Sequence, residues 1–270
     1  MNDQRGVICK LPSHISCCLF DLDGVLTSTA SVHEAAWKRV FDEVLKDVEH
    51  SSAGIQHDAL AYVPFSHDDY LRFVDGRARN DGVRTFFTSR SIELPVKATA
   101  DPSAAHTVTS IAEQKNALFI AALHQGTLTA FATSLGALER LHDSGMRIGV
   151  VSASEHAVEV LRATGLDRNV EIVVDGTVAT AQHLAGKPSP ATFIHAAEQF
   201  NQMPQHCAVF EDAIAGVAAG RAGHFGLVVG IGGPSTAPAL INAGADYVIE
   251  DLSRVELTGK PSRVAGIEPH

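Results

Sequence analysis

The sequence predicts an α/β fold, a parallel sheet sandwiched by helices, with a mostly helical module inserted after the first strand. Three observations carry that expectation. From residue 134 onward helical and extended signals alternate, the extended runs are almost continuously apolar, and the stretch from residue 29 to about residue 127 breaks the alternation. Alternating units imply a parallel sheet, and apolar strands without a polar face are those buried on both sides.

The elements follow in order. SCCLF is a short apolar strand that stops at Asp21. SLGALERLHDSG reads as a helix closed by Gly145, and MRIGVVSAS as a strand running into a polar turn. Helix EHAVEVLRATG, strand VEIVV, helix SPATFIHAAEQF, strand HCAVF, helix AIAGVAAGRAG and strands FGLVVG and ADYVI complete the pattern. The inserted module opens with an amphipathic helix whose stripe of Val32, Trp37, Val40, Phe41, Val44 and Val48 fits a 3.6-residue period. It continues through Gly- and Pro-broken stretches such as HSSAGIQHD and PVKATADPSAAHTVTS. The expected domains are therefore a core of residues 1–28 and 128–270 and a helical module of residues 29–127, with GKPSRVAGIEPH as a loose tail.

Bulk properties narrow the function. A chain of 270 residues with 45% hydrophobic content can bury a sizeable core. Its net charge of −10 argues against nucleic acid or an anionic membrane as partner, because such binding rests on Lys and Arg neutralising phosphates. The four cysteines, Cys9, Cys17, Cys18 and Cys207, form no C-x-x-C pair, which suits a reducing cytoplasm. Neither a signal peptide nor a run of about 18 apolar residues is present, so a soluble cytoplasmic monomer is expected.

In an open parallel sheet, ligands gather at the carboxyl ends of the strands. Asp21 and Asp23 follow the first strand, Ser152 and Ser154 the second, and Glu211 and Asp212 the fourth, while GKPSP supplies Lys187 just before a helix. Alone, D-x-D-G reads equally well as an Asx-turn. Together, the carboxylates would repel one another unless a cation sits among them, and a hard dication such as Mg²⁺ suits oxygen ligands. Lys187 adds a point charge for a phosphate oxygen and Ser152 a hydroxyl donor. Thr29, His33 and Trp37 share one helix face at i, i+4, i+8, where Trp37 also completes the apolar stripe. Either the face overhangs Asp23 or, for Trp37 above all, it simply packs the module's core.

FDLDGV, VVSAS, GKPSP and EDAIAG, in this order and spacing, resemble the haloacid dehalogenase (HAD) superfamily of phosphotransferases, and within it the β-phosphoglucomutase-like group. The resemblance implies a Rossmann-like HAD core with a helical cap. It makes Asp21 the nucleophile that forms an aspartyl-phosphate and Asp23 the general acid/base, with Ser152 and Lys187 holding the transferring phosphoryl group. Asp21, the Asp23 carbonyl and Asp212, with Glu211, would bind Mg²⁺. T-x-x-x-H-x-x-x-W from Thr29 also matches that group, with His33 orienting the acid/base. Arg79 in GRARNDGVRTFF and Lys115 in EQKN match its cap arginine and lysine, and Ser154 its phosphate-binding serine.

One departure stands out. Where the mutases continue after that serine with residues such as Lys-Asn, this chain has Glu155 and His156. A carboxylate there repels a distal phosphate unless it turns away into its helix start, where the macrodipole favours an anion. GIGGPS lacks the last glycine of a dinucleotide loop, HEAAW carries Trp37 where a zinc-protease motif has its second histidine, and GKPS at 259–262 lies in the tail. The expected activity is mutase chemistry on hexose phosphates through a glucose 1,6-bisphosphate-type intermediate. The alternatives are a phosphatase of trehalose 6-phosphate or a similar ester, and a silent phosphosugar-binding regulator, which retention of Asp21, Asp23, Lys187 and Asp212 disfavours.

Overall fold

The computed structural model describes residues 7–51, 62–97, 106–126 and 128–258, and divides into two compact units, 1–28 with 129–270 and 29–128. The first unit is built on six parallel strands: β2 (Cys17–Phe20), β3 (Arg147–Val151), β4 (Ile172–Val174), β5 (Cys207–Glu211), β6 (Leu227–Ile231) and β7 (Tyr247–Ile249). Their order is β4-β3-β2-β5-β6-β7, and every pairing is parallel. The chain winds outward from β2 to one edge and then from β5 to the other, so the connections diverge beside β2 and open a crevice at the strands' carboxyl ends.

β2 is buried at all four positions, as its unbroken apolar run requires. Alternation sends Cys17 and Leu19 to a cluster with Phe193, Phe200, Val209 and Val228, while Phe20 stacks on Phe210 at 4.6 Å. The predicted helices of this unit are present as α5 (Ala132–Asp143), α6 (Ala157–Thr164), α8 (Ala191–Gln199) and α9 (Ile214–Ala222). Three short features depart from the sequence reading. A separate parallel pair joins β1 (Cys9–Leu11) to β8 (Val255–Leu257), and short helices α7 (Gly176–Ala181) and α10 (Ala237–Ala243) fill stretches to which the sequence assigns no element. The proposed tail from Gly259 lies outside the described residues.

The second unit comprises α1 (Ala30–Ser51), α2 (His67–Asp69) running on into a π-helical turn over Tyr70–Val74, α3 (Arg79–Ser89) and α4 (Val108–His124). Ser66 and Asp69 form a capping box at the start of α2, and Thr107 and Ser110 do the same for α4. The stripe of α1 is the core of this unit: Trp37, Val40, Phe41 and Val44 bury against Phe65, Phe86, Phe87 and Ile111. Phe41 is its centre, tilted on Trp37 at 4.8 Å, stacked on Phe86 at 4.5 Å and edge-on to Phe65 and Phe87.

A Phe41→Ala substitution therefore empties the centre of an aromatic cluster, and is expected to cost about 3–5 kcal/mol in denaturant unfolding. A loss below about 1 kcal/mol would contradict this account of the helical core.

Candidate active site

Register decides what meets at the crevice. Phe20 pairs with Val150 on one side and Phe210 on the other, so the next residues, Asp21, Val151 and Glu211, emerge side by side. The Asp21 amide continues the ladder onto the Phe210 carbonyl at 2.9 Å. Into this edge reaches Lys187, from the loop before α8, and its ammonium donates to Asp21 Oδ1 at 2.5 Å, Glu211 Oε1 at 2.5 Å and the Val151 carbonyl at 3.1 Å. All three protons of the ammonium are thereby committed. The other oxygen of Asp21 accepts the Asp23 amide at 2.8 Å, and that of Glu211 accepts the Ala213 amide at 3.1 Å. Asp21, Lys187 and Glu211 are 5%, 3% and 0% exposed.

Two carboxylates and one ammonium, all out of water, set the electrostatics. Burial pushes Asp21 up despite the opposing field of Lys187. Burial likewise pushes Glu211 up to about 8, again against Lys187. For Lys187 burial works against the charge, but Asp21 and Glu211 outweigh it and hold the ammonium above its ordinary range.

Two glycines make room for the cluster. A Cβ on Gly216 in α9 would fall 1.8 Å from Glu211 Oε1, so only a bare backbone lets the glutamate fold in beneath Lys187. Gly24, at φ +89°, would place a Cβ 1.8 Å from Asp212 Oδ2, so the Asp212 carboxylate lies over the turn that follows Asp23. Asp21, Asp212 and the Asp23 carbonyl are hard oxygen donors on adjacent strand ends and fit a dication such as Mg²⁺. Glu211, also expected among the metal ligands, has both oxygens engaged by Lys187 and Ala213, as Asp21 has by Lys187 and the Asp23 amide, so either would meet an ion through a further lone pair. Among the described residues no three His, Cys, Asp or Glu side chains form a metal-holding group, and a set of two carboxylates and a carbonyl does not need one.

The loop after β3 completes this side. Buried Ser152 donates to Asp23 Oδ2 at 3.4 Å and accepts the Ser154 amide at 3.1 Å, while the Ser154 hydroxyl accepts the His156 amide at 3.2 Å. Ser154 O in turn accepts the Gly176 amide at 2.9 Å, fastening the loop to the start of α7. Exposed Glu155 packs along Gly176 at the start of α7, whose Cβ would meet its Cγ at 3.0 Å and its amide nitrogen at 3.2 Å. Asp175, buried at the end of β4, was not singled out from sequence; it caps α7 by accepting the Val178 amide at 2.9 Å. A carboxylate directly after an apolar strand was its only signal.

The remaining candidates lie in the helical unit. Thr29 is fully buried, and its carbonyl starts α1 by accepting the Val32 and His33 amides. His33 stacks on Phe119 at 4.1 Å and receives a hydrogen bond from Lys115 at Nδ1. Lys115 is 4% exposed, and Arg79 is the half-buried first residue of α3. Arg84, the other arginine of this motif on α3, pairs with Asp81 at 3.1 Å on the surface.

An open parallel sheet with a helical insertion after its central strand, and with buried acid and base at its carboxyl edge, defines an α/β protein of the strand-end-site class. The chain belongs to the haloacid dehalogenase-like hydrolase family, whose profile matches residues 15–224. It is 43% identical over 257 residues to a β-phosphoglucomutase of Mycobacterium bovis, covering 94% of this chain and 96% of that one. It is 30% identical to the validoxylamine A 7'-phosphate phosphatase of Streptomyces hygroscopicus, over 88% of this chain and 94% of the other. A crystal structure of β-phosphoglucomutase from Clostridium difficile shares the fold at a TM-score of 0.62 and 22% identity, covering 90% of this chain and 93% of that one.

Removing the lysine alone leaves buried carboxylates without a counter-charge, so Lys187→Met is expected to cost about 3–5 kcal/mol at pH 8. The sign with pH follows from Glu211, raised in the folded state from 4.5 to about 8. Its contribution is fully present below the unfolded value and is lost as pH rises towards about 8, because there only the unfolded chain has released the proton. Lys187→Met steepens that loss, so thermal melts of the variant and wild type at pH 5.5 and 8 should differ least at pH 5.5. A larger difference at pH 5.5 would overturn this electrostatic account.

Proposed function

We propose that this protein is a β-phosphoglucomutase, interconverting β-glucose 1-phosphate and glucose 6-phosphate by Mg²⁺-dependent phosphotransfer through an aspartyl-phosphate. The likeness to the mycobacterial β-phosphoglucomutase over nearly the whole of both chains carries the choice of reaction. The site supports the chemistry. Asp21 is the nucleophile: its carboxylate oxygen bonds to phosphorus as the ester oxygen departs. Asp23, on the same loop and within reach of Ser152, donates a proton to that oxygen and takes one from the sugar hydroxyl in the return transfer. Ser152 holds one phosphoryl oxygen and Lys187 another, taken in place of the Val151 carbonyl, the longest of its three contacts, while Glu211 keeps the ammonium aimed at Asp21. Bound by Asp21, Asp212 and the Asp23 carbonyl, Mg²⁺ would supply positive charge to the phosphoryl oxygens.

On this reading the helical unit serves as the cap domain, with Thr29, His33, Arg79 and Lys115 as its sugar-phosphate contacts and a glucose 1,6-bisphosphate-type species as intermediate. A second reading, hydrolysis of a sugar-phosphate ester, is favoured by exposed Glu155, a negative charge beside the phosphoryl-holding serines. It is also supported by the likeness to a phosphatase of a sugar-like phosphate.

The test is a ³¹P NMR time course with Mg²⁺, β-glucose 1-phosphate and a trace of glucose 1,6-bisphosphate. The expected outcome is glucose 6-phosphate without inorganic phosphate, and no turnover by Asp21→Asn at unchanged thermal stability. Inorganic phosphate as the main product would establish the hydrolytic reading, and turnover by Asp21→Asn would overturn the nucleophile.

A further inference from the structure

A lysine only 4% exposed in a helical unit needs something to hold its charge. Lys115 on α4 has His33 Nδ1 as acceptor, and two aromatic faces flank its ammonium. Its Nζ lies 5.2 Å from the Trp37 ring centroid and 5.1 Å from that of Phe119. Both distances fall within the roughly 6 Å at which a ring quadrupole attracts a cation, and indole is the strongest of the natural rings. The rings are not loosely placed. Phe119 is stacked against His33, and Trp37 is backed by Phe41, which is backed in turn by Phe86. On α3, Gly82 contributes the space beside the indole, since a Cβ there would meet Val74 at 3.3 Å and Trp37 Cζ2 at 3.8 Å.

We infer that Trp37 is a positioning residue for Lys115: its π face, braced by the aromatic column of the helical core, fixes where the lysine presents its charge to the sugar phosphate. The inference rests on the proposed substrate-binding role of Lys115 and adds to it a cause for the lysine's aim. It also changes the meaning of Trp37, which the apolar stripe of α1 presents as core packing only. Core packing depends on the size of the ring. Positioning of a cation depends on its electron density as well, and the two can be separated.

Trp37 is the single tryptophan of the chain, so biosynthetic incorporation of mono-, di- and trifluorotryptophan alters this ring and no other. Fluorination withdraws electron density from the π face with little change in shape. The expected result is a stepwise fall in kcat/KM for β-glucose 1-phosphate, reaching about 10-fold for the trifluoro ring, with thermal stability unchanged. The ¹⁹F resonance of the monofluoro protein is expected to shift in Lys115→Met, which itself should lose at least the activity lost by the trifluoro protein. A flat activity series alongside an impaired Lys115→Met would overturn the role of Trp37 and leave that of Lys115 standing. Wild-type activity in Lys115→Met would overturn both. Trp37→Phe, which retains a weaker π face, should keep more activity than Trp37→Leu at matched thermal stability, and equal losses would count against the inference.

Discussion

The ammonium of Lys187 between Asp21 and Glu211 is the constraint on which the sheet-bearing unit turns. Two carboxylates at adjacent strand ends, both out of water, would not remain together without it, and each acceptor it touches comes from a different strand: Asp21 beyond β2, Val151 in β3, Glu211 in β5. The register of β2 with both neighbours is thus tied to one point charge. A one-residue slip of β5 would turn Glu211 to the opposite face of the sheet and leave the lysine short of an acceptor. The same arrangement explains two glycines at once, since Gly216 yields volume to Glu211 and Gly24 yields it to Asp212.

The helical unit solves a related problem with different chemistry. Its buried cation, Lys115, lies over two aromatic rings and against a histidine. The contrast is one of chemistry: Lys187 is held by two carboxylates and a carbonyl, Lys115 by ring faces and an imidazole nitrogen.

Much of this was legible in the sequence, for physical reasons that particular residues make plain. Strands such as CCLF and CAVFE are unbroken apolar runs because both their faces are covered, and polar residues that end them stand out. Asp21, Asp23, Ser152, Lys187, Glu211 and Asp212 could be grouped on one edge on that ground. β1 and β8 could not, being three residues each and stable only through each other across the length of the chain. α10 was hidden by the Gly- and Pro-rich turn before it. The wiring inside the site was also hidden: that Glu211 serves Lys187 depends on Gly216 five residues on and on a loop 24 residues back, which no local pattern records. Trp37 shows the same limit. Its spacing marks the core of α1, and only the packing of α4 reveals the cation over its ring.

Transfer to a sugar and transfer to water share every step up to the phosphorylated aspartate, so Asp21, Asp23, Lys187 and Ser152 cannot by themselves separate the two reactions. The difference must come from groups that select the second acceptor. In the sheet unit the residue to consider is Glu155, which follows Ser154 and packs its Cγ along Gly176 at the start of α7. An exposed carboxylate repels a distal phosphate less with distance and with screening by solvent. On the proposed reading that selection rests with Thr29, His33, Arg79 and Lys115, and of these Lys115 is the one whose ammonium lies over two aromatic rings, so its charge is the first to test when transfer to a hydroxyl is weighed against transfer to water.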